Sequence, residues 1–365
     1  MMEHEPNCRA RVSRRAYDDS ATEPMNDNRM AAEIREAPEA VERQAAALRA
    51  PLAELVARLQ RRPPRVVVTC ARGSSAHAAT FGKHLVERYL GIPVAAAAPS
   101  VTTVYRERLR LDGELFLAVS QSGRSDDLVE FAGTAKAAGA VTAALVNLTD
   151  SPLATACDIV LPMEAGPELS VAATKTVVAS MAALLRLAAL WTGNAALSES
   201  VGRLPERLAR ATELDWSEPL SALRQAESLV TIGRGPTLAI AREASLKLKE
   251  TSNLHAEAFS GAEFLHGPVT LVSSRYPILM FMPNDEAAPG LRRLAADLRE
   301  KGAALFVGEP GEATPGRLPA VEPDGPEADA ICLLQSFYGM AVRLAGLRGM
   351  DVDRPRHLQK VTRTR

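Results

Sequence analysis

Two stretches of the chain, residues 65–75 and 228–237, read RVVVTCARGSS and SLVTIGRGPT and follow one pattern. Each begins with a short apolar run, continues through a turn that contains glycine, and leads into a helical pattern. A strand that is apolar on both faces has to be covered on both faces, which is typical of a parallel sheet between layers of helices. The repetition predicts two copies of one α/β domain in a single chain.

The rest of the chain extends this pattern. Further short apolar runs predict buried strands, and segments with apolar residues at every third or fourth position predict helices between them. Alternation of this kind is typical of a doubly wound α/β fold with a parallel sheet. The additional strands are predicted at 114–120, 141–148, 158–163, 277–283 and 304–309, and the main helices at 30–61, 126–138, 172–191, 239–250 and 329–347.

Changes in composition along the chain suggest where its domains begin and end. The first residues are polar and of mixed charge, as in segments that cannot bury enough apolar surface to fold, and we expect a disordered extension there. The predicted divisions are the extension at 1–29, an N-terminal helical segment at 30–62, a first α/β domain at 63–195, a linker at 196–216, a second α/β domain at 217–350 and a tail at 351–365.

The composition argues against several classes of protein. The 43 basic and 44 acidic residues nearly cancel, so nucleic acid and anionic membranes are not expected partners. No uninterrupted apolar run reaches the length of a membrane span. The four cysteines are scattered without CxxC spacing, which argues against a zinc site or a disulfide framework and fits a reducing cytoplasm.

A serine-rich turn follows the predicted strand at 114–120. It contains Ser120, Gln121, Ser122 and Ser125, and a helix begins directly after it. Hydroxyl groups and free backbone N–H groups at a helix N-terminus form an anion site, so the turn predicts phosphate binding. The chain lacks GxxxxGK[ST] and GxGxxG here, so neither a nucleoside triphosphate nor a dinucleotide is indicated. The alternative is an ordinary turn in which Ser125 caps the helix.

The densest group of ionisable residues lies between positions 243 and 268. Lys247 and Glu250 are three residues apart, so they share one face of a predicted helix, and His266 follows in the predicted loop. Such a concentration of acids and bases favours proton-transfer chemistry. The alternative is a set of ordinary surface pairs and a solvated histidine.

Six motifs in order resemble the sugar isomerase (SIS) family over about residues 30–362. The resemblance is to the isomerase half of glucosamine-6-phosphate synthase and to the stand-alone SIS-type glucosamine-6-phosphate deaminases. It implies two tandem SIS domains, each a flavodoxin-like parallel sheet flanked by helices, in a cytoplasmic enzyme without a metal or organic cofactor. The motifs are GSSAHA (73–78), SQSGRS (120–125), GPELSVAATK (166–175), LKLKETSNLHAEAF (246–259), EFLHGP (263–268) and DVDRPRHLQKVT (351–362).

The resemblance also implies roles for individual residues. Glu250 would move a proton between C1 and C2 of the sugar, and Lys360 in the tail would form a Schiff base with the ketose carbonyl. His266 would assist ring opening, with Lys247 nearby. The residues that would hold the sugar phosphate are Ser75, Ser120, Gln121, Ser122 and Ser125, and those lining the sugar are Val171, Ala173 and Thr174.

Departures from the family pattern narrow the expected activity. No amidotransferase half precedes the motifs, and the SGRS variant with Arg124 looks more like the deaminase-type relatives. Ala173 stands where a serine is usual, and Gln359 precedes the lysine in place of a small residue. We therefore expect conversion of glucosamine 6-phosphate to fructose 6-phosphate and ammonia.

Two alternatives to this activity stay open. One is a different substrate, as in a fructosamine-6-phosphate deglycase or a galactosamine-6-phosphate deaminase, because the phosphate turn does not read the rest of the sugar. The other is a sugar-phosphate sensor without catalysis, because a fold by itself does not fix function. The resemblance further implies a homodimer in which His266 reaches the site of the neighbouring subunit.

Overall fold

The structure, a computed structural model, describes residues 28–360, so most of the predicted extension and the last five residues of the tail lie outside the described part. The described chain contains two parallel sheets of five strands each. The strands of the first sheet are β1 (Val67–Ala71), β2 (Val94–Ala96), β3 (Leu115–Ser120), β4 (Val141–Val146) and β5 (Ile159–Pro162), and those of the second are β6 (Ser228–Gly233), β7 (His255–Ser260), β8 (Ile278–Phe281), β9 (Leu305–Gly308) and β10 (Arg317–Leu318).

Helices connect the strands and cover both sheets. Several of them begin with proline in the first turn, where the missing N–H would have no partner within the helix. The α-helices are α1 (Arg29–Arg35), α2 (Ala37–Arg61), α3 (Gly73–Leu90), α4 (Ser100–Thr103), α5 (Asp126–Ala137), α6 (Pro152–Ala156), α7 (Lys175–Thr192), α8 (Ala195–Thr212), α9 (Leu220–Gln225), α10 (Pro236–Ser252), α11 (Gly261–Phe264), α12 (Ala288–Glu300) and α13 (Pro326–Leu347).

The two sheets have the same topology. The first has the strand order β2-β1-β3-β4-β5 and the second has the order β7-β6-β8-β9-β10 when it is read in the same sense. In both, the first strand of the domain lies between the second and the third, which is the flavodoxin-like order. This confirms the prediction of two copies of one α/β domain.

The wholly apolar strands occupy the interior of the sheets, as expected. All six residues of β3 and all four of β8 are buried. Strand β7 is different, because His255 and Glu257 are exposed while Ala256 between them is buried. It is an edge strand of the second sheet. The sequence predicts a loop here instead, because an edge strand with ionisable residues lacks the apolar run that marks the other strands.

The segment predicted as a linker, 196–216, consists mainly of α8, which packs against the rest of the molecule. Its apolar residues Val201, Leu204 and Leu208 are buried, and the helix contacts α2, α7 and α13. Helices α7 and α13 reach the length and apolarity of membrane spans, although the sequence analysis expected no such segment. Since 83% and 78% of the respective windows are buried inside the molecule, both are core helices.

Helices α3 and α10 pack against each other between the two domains. Each follows the first strand of its own domain, so each is the counterpart of the other in the repeat. Because of this packing, the helix of one domain lies beside the crevice at the carboxyl ends of the strands of the other domain. The arrangement places residues of α10 against the serine-rich turn of the first domain.

Charged residues cross from α3 to the corresponding edge of the second domain. Arg88 of α3 donates to the carboxylate of Asp285 at 2.9 Å and to that of Glu286, also at 2.9 Å. Tyr89 donates its hydroxyl hydrogen to the buried carboxylate of Glu327 at 2.8 Å. Burial raises the pKa of Glu327. These contacts join the two domains at the carboxyl ends of the strands of the second sheet.

Candidate active site

A cavity of about 360 Å³ opens at the carboxyl ends of β1 and β3. The strand order of the first sheet reverses between β1 and β3. In open α/β sheets, ligands bind at this position. The cavity brings together most of the residues that the sequence analysis selected. Those that line it are Ser75, Ser120, Gln121, Ser122, Ser125, Val171, Ala173, Lys247, Glu250 and Lys360.

The turn after β3 is held open toward this cavity. Gly123 has a φ of +61°, and a Cβ atom there would lie 2.1 Å from Oγ of Ser151, so the turn requires glycine. The backbone N–H of Gly123 donates to Oγ of Ser120 at 3.1 Å. Ser125 stands at the N-cap of α5, but its side chain makes no hydrogen bond with the helix. Its hydroxyl is therefore not used as a cap, which favours the anion-site interpretation of the turn.

Helix α10 places Lys247 and Glu250 on the face that meets the cavity. Lys247 is 1% exposed, and its Nζ atom donates to the carboxylate of Glu250 and lies 3.5 Å from that of Glu243. Burial alone would lower the pKa of Lys247, but the charges of Glu243 and Glu250 outweigh it and raise that pKa. The ammonium group is thus kept charged between two carboxylates, as a proton donor close to Glu250.

Glu243 is the fully buried carboxylate beside Lys247. It accepts a hydrogen bond from the hydroxyl of Tyr338 at 3.2 Å and lies 2.8 Å from Nδ1 of His77. Burial acts to raise the pKa of Glu243, but the charge of Lys247 and the hydrogen bond with His77 lower it below its ordinary value. Position 243 opens the dense group of ionisable residues predicted from the sequence, and the complete burial of Glu243 rules out the alternative of an ordinary surface pair there.

The tail returns to the cavity with Lys360. Its Nζ atom donates to Oε2 of Glu168 at 2.9 Å and to the backbone carbonyl of Ser170 at 2.8 Å. Glu168 is buried and also accepts hydrogen bonds from the backbone N–H groups of Thr174 and Thr176 at the start of α7. Glu168 lies in the GPELSVAATK motif, but the motif alone predicts no role for this residue.

Two selected residues do not line the cavity. Thr174 is fully buried at the N-cap of α7, and its hydroxyl has no hydrogen-bond partner among the described residues. His266 is exposed in the segment after α11. Within the described chain, therefore, the cavity holds the carboxylate of Glu250 and the amines of Lys247 and Lys360 but lacks the histidine.

Comparison with known proteins identifies the fold and its relatives. The model of the SIS domain matches residues 62–190 and 222–307. Glutamine–fructose-6-phosphate aminotransferase (isomerizing) of Symbiobacterium thermophilum is 34% identical over 316 residues, which cover 81% of this chain and 51% of that protein. The chain thus spans about half the length of the curated relatives it matches.

Solved structures resemble the whole described fold. A protein from Silicibacter pomeroyi DSS-3, provisionally described as a phosphosugar isomerase, is 45% identical, with a TM-score of 0.84 over 89% of this chain and 99% of that one. Glucosamine-6-phosphate deaminase from Thermotoga maritima shares the fold at 24% identity, with a TM-score of 0.69 over 90% of this chain and 100% of that one. The chain, with both of its α/β domains matched, belongs to the SIS domain family.

Proposed function

We propose that the protein is a phosphosugar isomerase that converts glucosamine 6-phosphate and water to fructose 6-phosphate and ammonia. The observation that carries the proposal is the position of Lys247, Glu250 and Lys360 in the same cavity as the serine-rich turn. A carboxylate beside a charged amine and a second amine within reach of the sugar provide acid–base and nucleophilic groups at one place. Binding of a sugar phosphate alone would not require them.

The first part of the reaction is proton transfer between carbon atoms. Glu250 removes the proton from C2 of the open-chain amino sugar, while a nearby acid protonates the oxygen on C1 to give an enolamine. Lys247, which is held charged beside Glu250, supplies positive charge as the substrate becomes electron-rich. Glu250 then returns its proton to C1, which leaves an imine at C2.

The second part of the reaction releases ammonia. The neutral amine of Lys360 adds to the C2 imine and expels ammonia, and water then hydrolyses the lysine Schiff base to the ketone. For this step Lys360 has to give up a proton, and Glu168 at 2.9 Å is placed to accept it. The overall change consumes one water and yields one ammonia, and no redox step is involved.

Ring opening requires a further acid–base group, and we assign it to His266 from a second copy of the chain. His266 is exposed and does not line the cavity of its own chain. Leu265 and Leu271 on either side of it are exposed apolar residues, 54% and 46% accessible. A homodimer that covers this segment would bury the leucines and bring the histidine to the neighbouring cavity.

The test is the release of ammonia and fructose 6-phosphate from glucosamine 6-phosphate by the purified protein. Galactosamine 6-phosphate, fructosamine 6-phosphate and fructose 6-phosphate with glutamine serve as parallel substrates. Equal release of the two products from the gluco sugar alone supports the proposal. Turnover of another substrate, or binding without turnover of any, contradicts it.

Glu250→Gln is the decisive variant in the same assay. It keeps the shape of the side chain and removes the proton acceptor, so turnover should fall by at least about a thousandfold while binding of the sugar phosphate changes little. A variant that retains full activity would contradict the role of Glu250.

A further inference from the structure

Among the described residues, the turns at the end of the cavity where a phosphate would bind carry mainly neutral donors. Ser75, Ser120, Ser122 and Ser125 contribute hydroxyl groups and Gln121 an amide. A phosphate monoester carries a charge of about −1.5 to −2 at neutral pH, as phosphorylated side chains do. Neutral donors bind such a group less strongly than donors that are charged.

Arg72 is a cation in the wall of this cavity to which the sequence analysis gave no role. It directly follows β1 and stands at the N-cap of α3, next to Gly73. Arg72 lies with Ser75 and Ser122 among the residues that line the cavity. The first domain therefore has an arginine in the same cavity wall as the serines that would meet the phosphate.

The guanidinium of Arg72 is fixed in position by a buried carboxylate. Its Nε and Nη2 atoms both donate to Oδ2 of Asp127, at 3.0 and 2.6 Å. Asp127 is 3% exposed and lies in the first turn of α5, directly after the serine-rich turn. About half of the Arg72 side chain stays exposed, and within residues 28–360 its only hydrogen bonds are those with Asp127. The guanidinium of Arg72 is thus held through its Nε and Nη2 atoms, and its other N–H groups can donate to a ligand.

Arg124, the other arginine near the turn, is differently placed. It is exposed and is not among the residues that line the cavity, although it lies within the SGRS sequence. The turn after β1 thus has an arginine in the cavity wall and the turn after β3 has one outside it, and the two form a matched pair for comparison.

We propose that Arg72 binds the phosphate group of the substrate and supplies the positive charge that the turns lack, an inference that rests on the proposed function only for the identity of the sugar. Asp127 is a positioning residue. Its carboxylate orients the guanidinium of Arg72 and balances the positive charge when no phosphate is bound. Arg72 and Asp127 also connect the two turns that surround the phosphate, so a purely structural role has to be separated from binding.

The test measures binding of inorganic phosphate by calorimetry, and the KM and kcat of glucosamine 6-phosphate, for the full chain and four variants. Arg72→Gln should weaken phosphate binding and raise KM by about tenfold to a hundredfold, with kcat changed by less than about threefold. Arg72→Lys should restore part of the loss. Arg124→Gln should change KM by less than about threefold, because a solvated charge outside the cavity contributes little.

Asp127→Asn separates binding from structure. It removes the partner of Arg72 but keeps the guanidinium, so its loss of phosphate binding should be smaller than that of Arg72→Gln. Equal losses in Arg72→Gln and Asp127→Asn, accompanied by equal drops in Tm, would overturn the inference in favour of a structural tie. So would unchanged phosphate binding in Arg72→Gln, or a wild-type protein that binds no inorganic phosphate. Phosphate binding that depends on Arg72 without turnover of glucosamine 6-phosphate would refute only the proposed function.

Discussion

The Nζ atom of Lys360 lies 2.9 Å from Oε2 of Glu168, although the two residues are 192 positions apart in the chain. Glu168 is itself held by backbone N–H groups at the start of α7. The contact fixes the end of the described tail against the first domain. It also places a carboxylate where a proton leaving the lysine amine can be received.

Replacing Glu168 by Gln should lower kcat by about tenfold to a hundredfold, since Lys360 loses its charged partner and its proton acceptor. Trapping of a lysine Schiff base by borohydride in the presence of fructose 6-phosphate should fall in parallel, as read by mass spectrometry of the peptide containing Lys360. Glu33→Gln is the matched control, because Glu33 is a buried carboxylate that supports Ser170 without contacting Lys360. Equal losses in both variants would mean that Glu168 only shapes the segment.

The buried group around Glu243 predicts a contribution to stability that depends on pH. The pKa of Glu243 in the folded protein lies below its ordinary value of 4.5, so its ionised form stabilises the fold above about that pH. This contribution is lost as the pH falls through the lowered pKa. Glu243→Gln should therefore reduce the free energy of unfolding at pH 7 by about 3 kcal/mol, because Lys247 keeps only one carboxylate partner.

Urea denaturation at pH 7 and at pH 4 measures this effect. The difference between wild type and Glu243→Gln should shrink at the lower pH, while Glu257→Gln on the exposed face of β7 should behave as wild type at both. A difference that is constant or larger at pH 4 would show that the charge of Glu243 is not what stabilises the fold.

The glycine of the serine-rich turn should tolerate no side chain. Gly123→Ala would force a Cβ atom against Ser151 at a positive φ, and we expect a loss of at least about 2 kcal/mol together with weaker phosphate binding. Gly133→Ala is the comparison, because Gly133 lies in α5 with open space around it and the change should stabilise by about 0.5–1 kcal/mol. Thermal unfolding of the two variants checks the pair. A stable Gly123→Ala protein with intact binding would contradict the geometry of the turn.

Mixing two inactive variants tests whether His266 serves the neighbouring subunit. In a dimer of one Glu250→Gln chain and one His266→Ala chain, a shared site would leave one of the two cavities with both residues intact. After subunit exchange, activity should recover to about a quarter of the wild-type value, since half of the dimers are mixed and each has one working site. If each chain supplied its own histidine, both cavities of the mixed dimer would be defective and no activity would return.

The sequence predicted the parts of the fold that rest on local patterns. The buried strands β3 and β8 are continuous apolar runs, and the repeat of strand, glycine-containing turn and helix can be recognised in the sequence. Strand β10 has only two residues, and β7 lies at a sheet edge with exposed ionisable side chains, so neither carries a clear apolar signal. Both are recognised only by the strands they pair with, β9 for β10 and β6 for β7.

The site was predictable to the extent that it lies in contiguous motifs. The serines of the turn, Lys247 and Glu250 line the cavity together, as the resemblance to a known family implied. Glu168 and Arg72 were missed because a carboxylate or guanidinium acquires its role from the group it meets. Those groups, Lys360 and Asp127, come together with them only in three dimensions.

The two crevices of the repeat have diverged, and the consequence concerns when the protein becomes active. The serine-rich turn belongs to the first sheet and Glu250 to the second domain, while Arg88 and Asp285 join the two domains at the other crevice. In the proposed reaction, a nascent chain that has completed only its first half would have the phosphate turn but neither Lys247 nor Glu250. Catalysis would start only after both halves had been synthesised and joined, so that unfinished copies would not consume substrate.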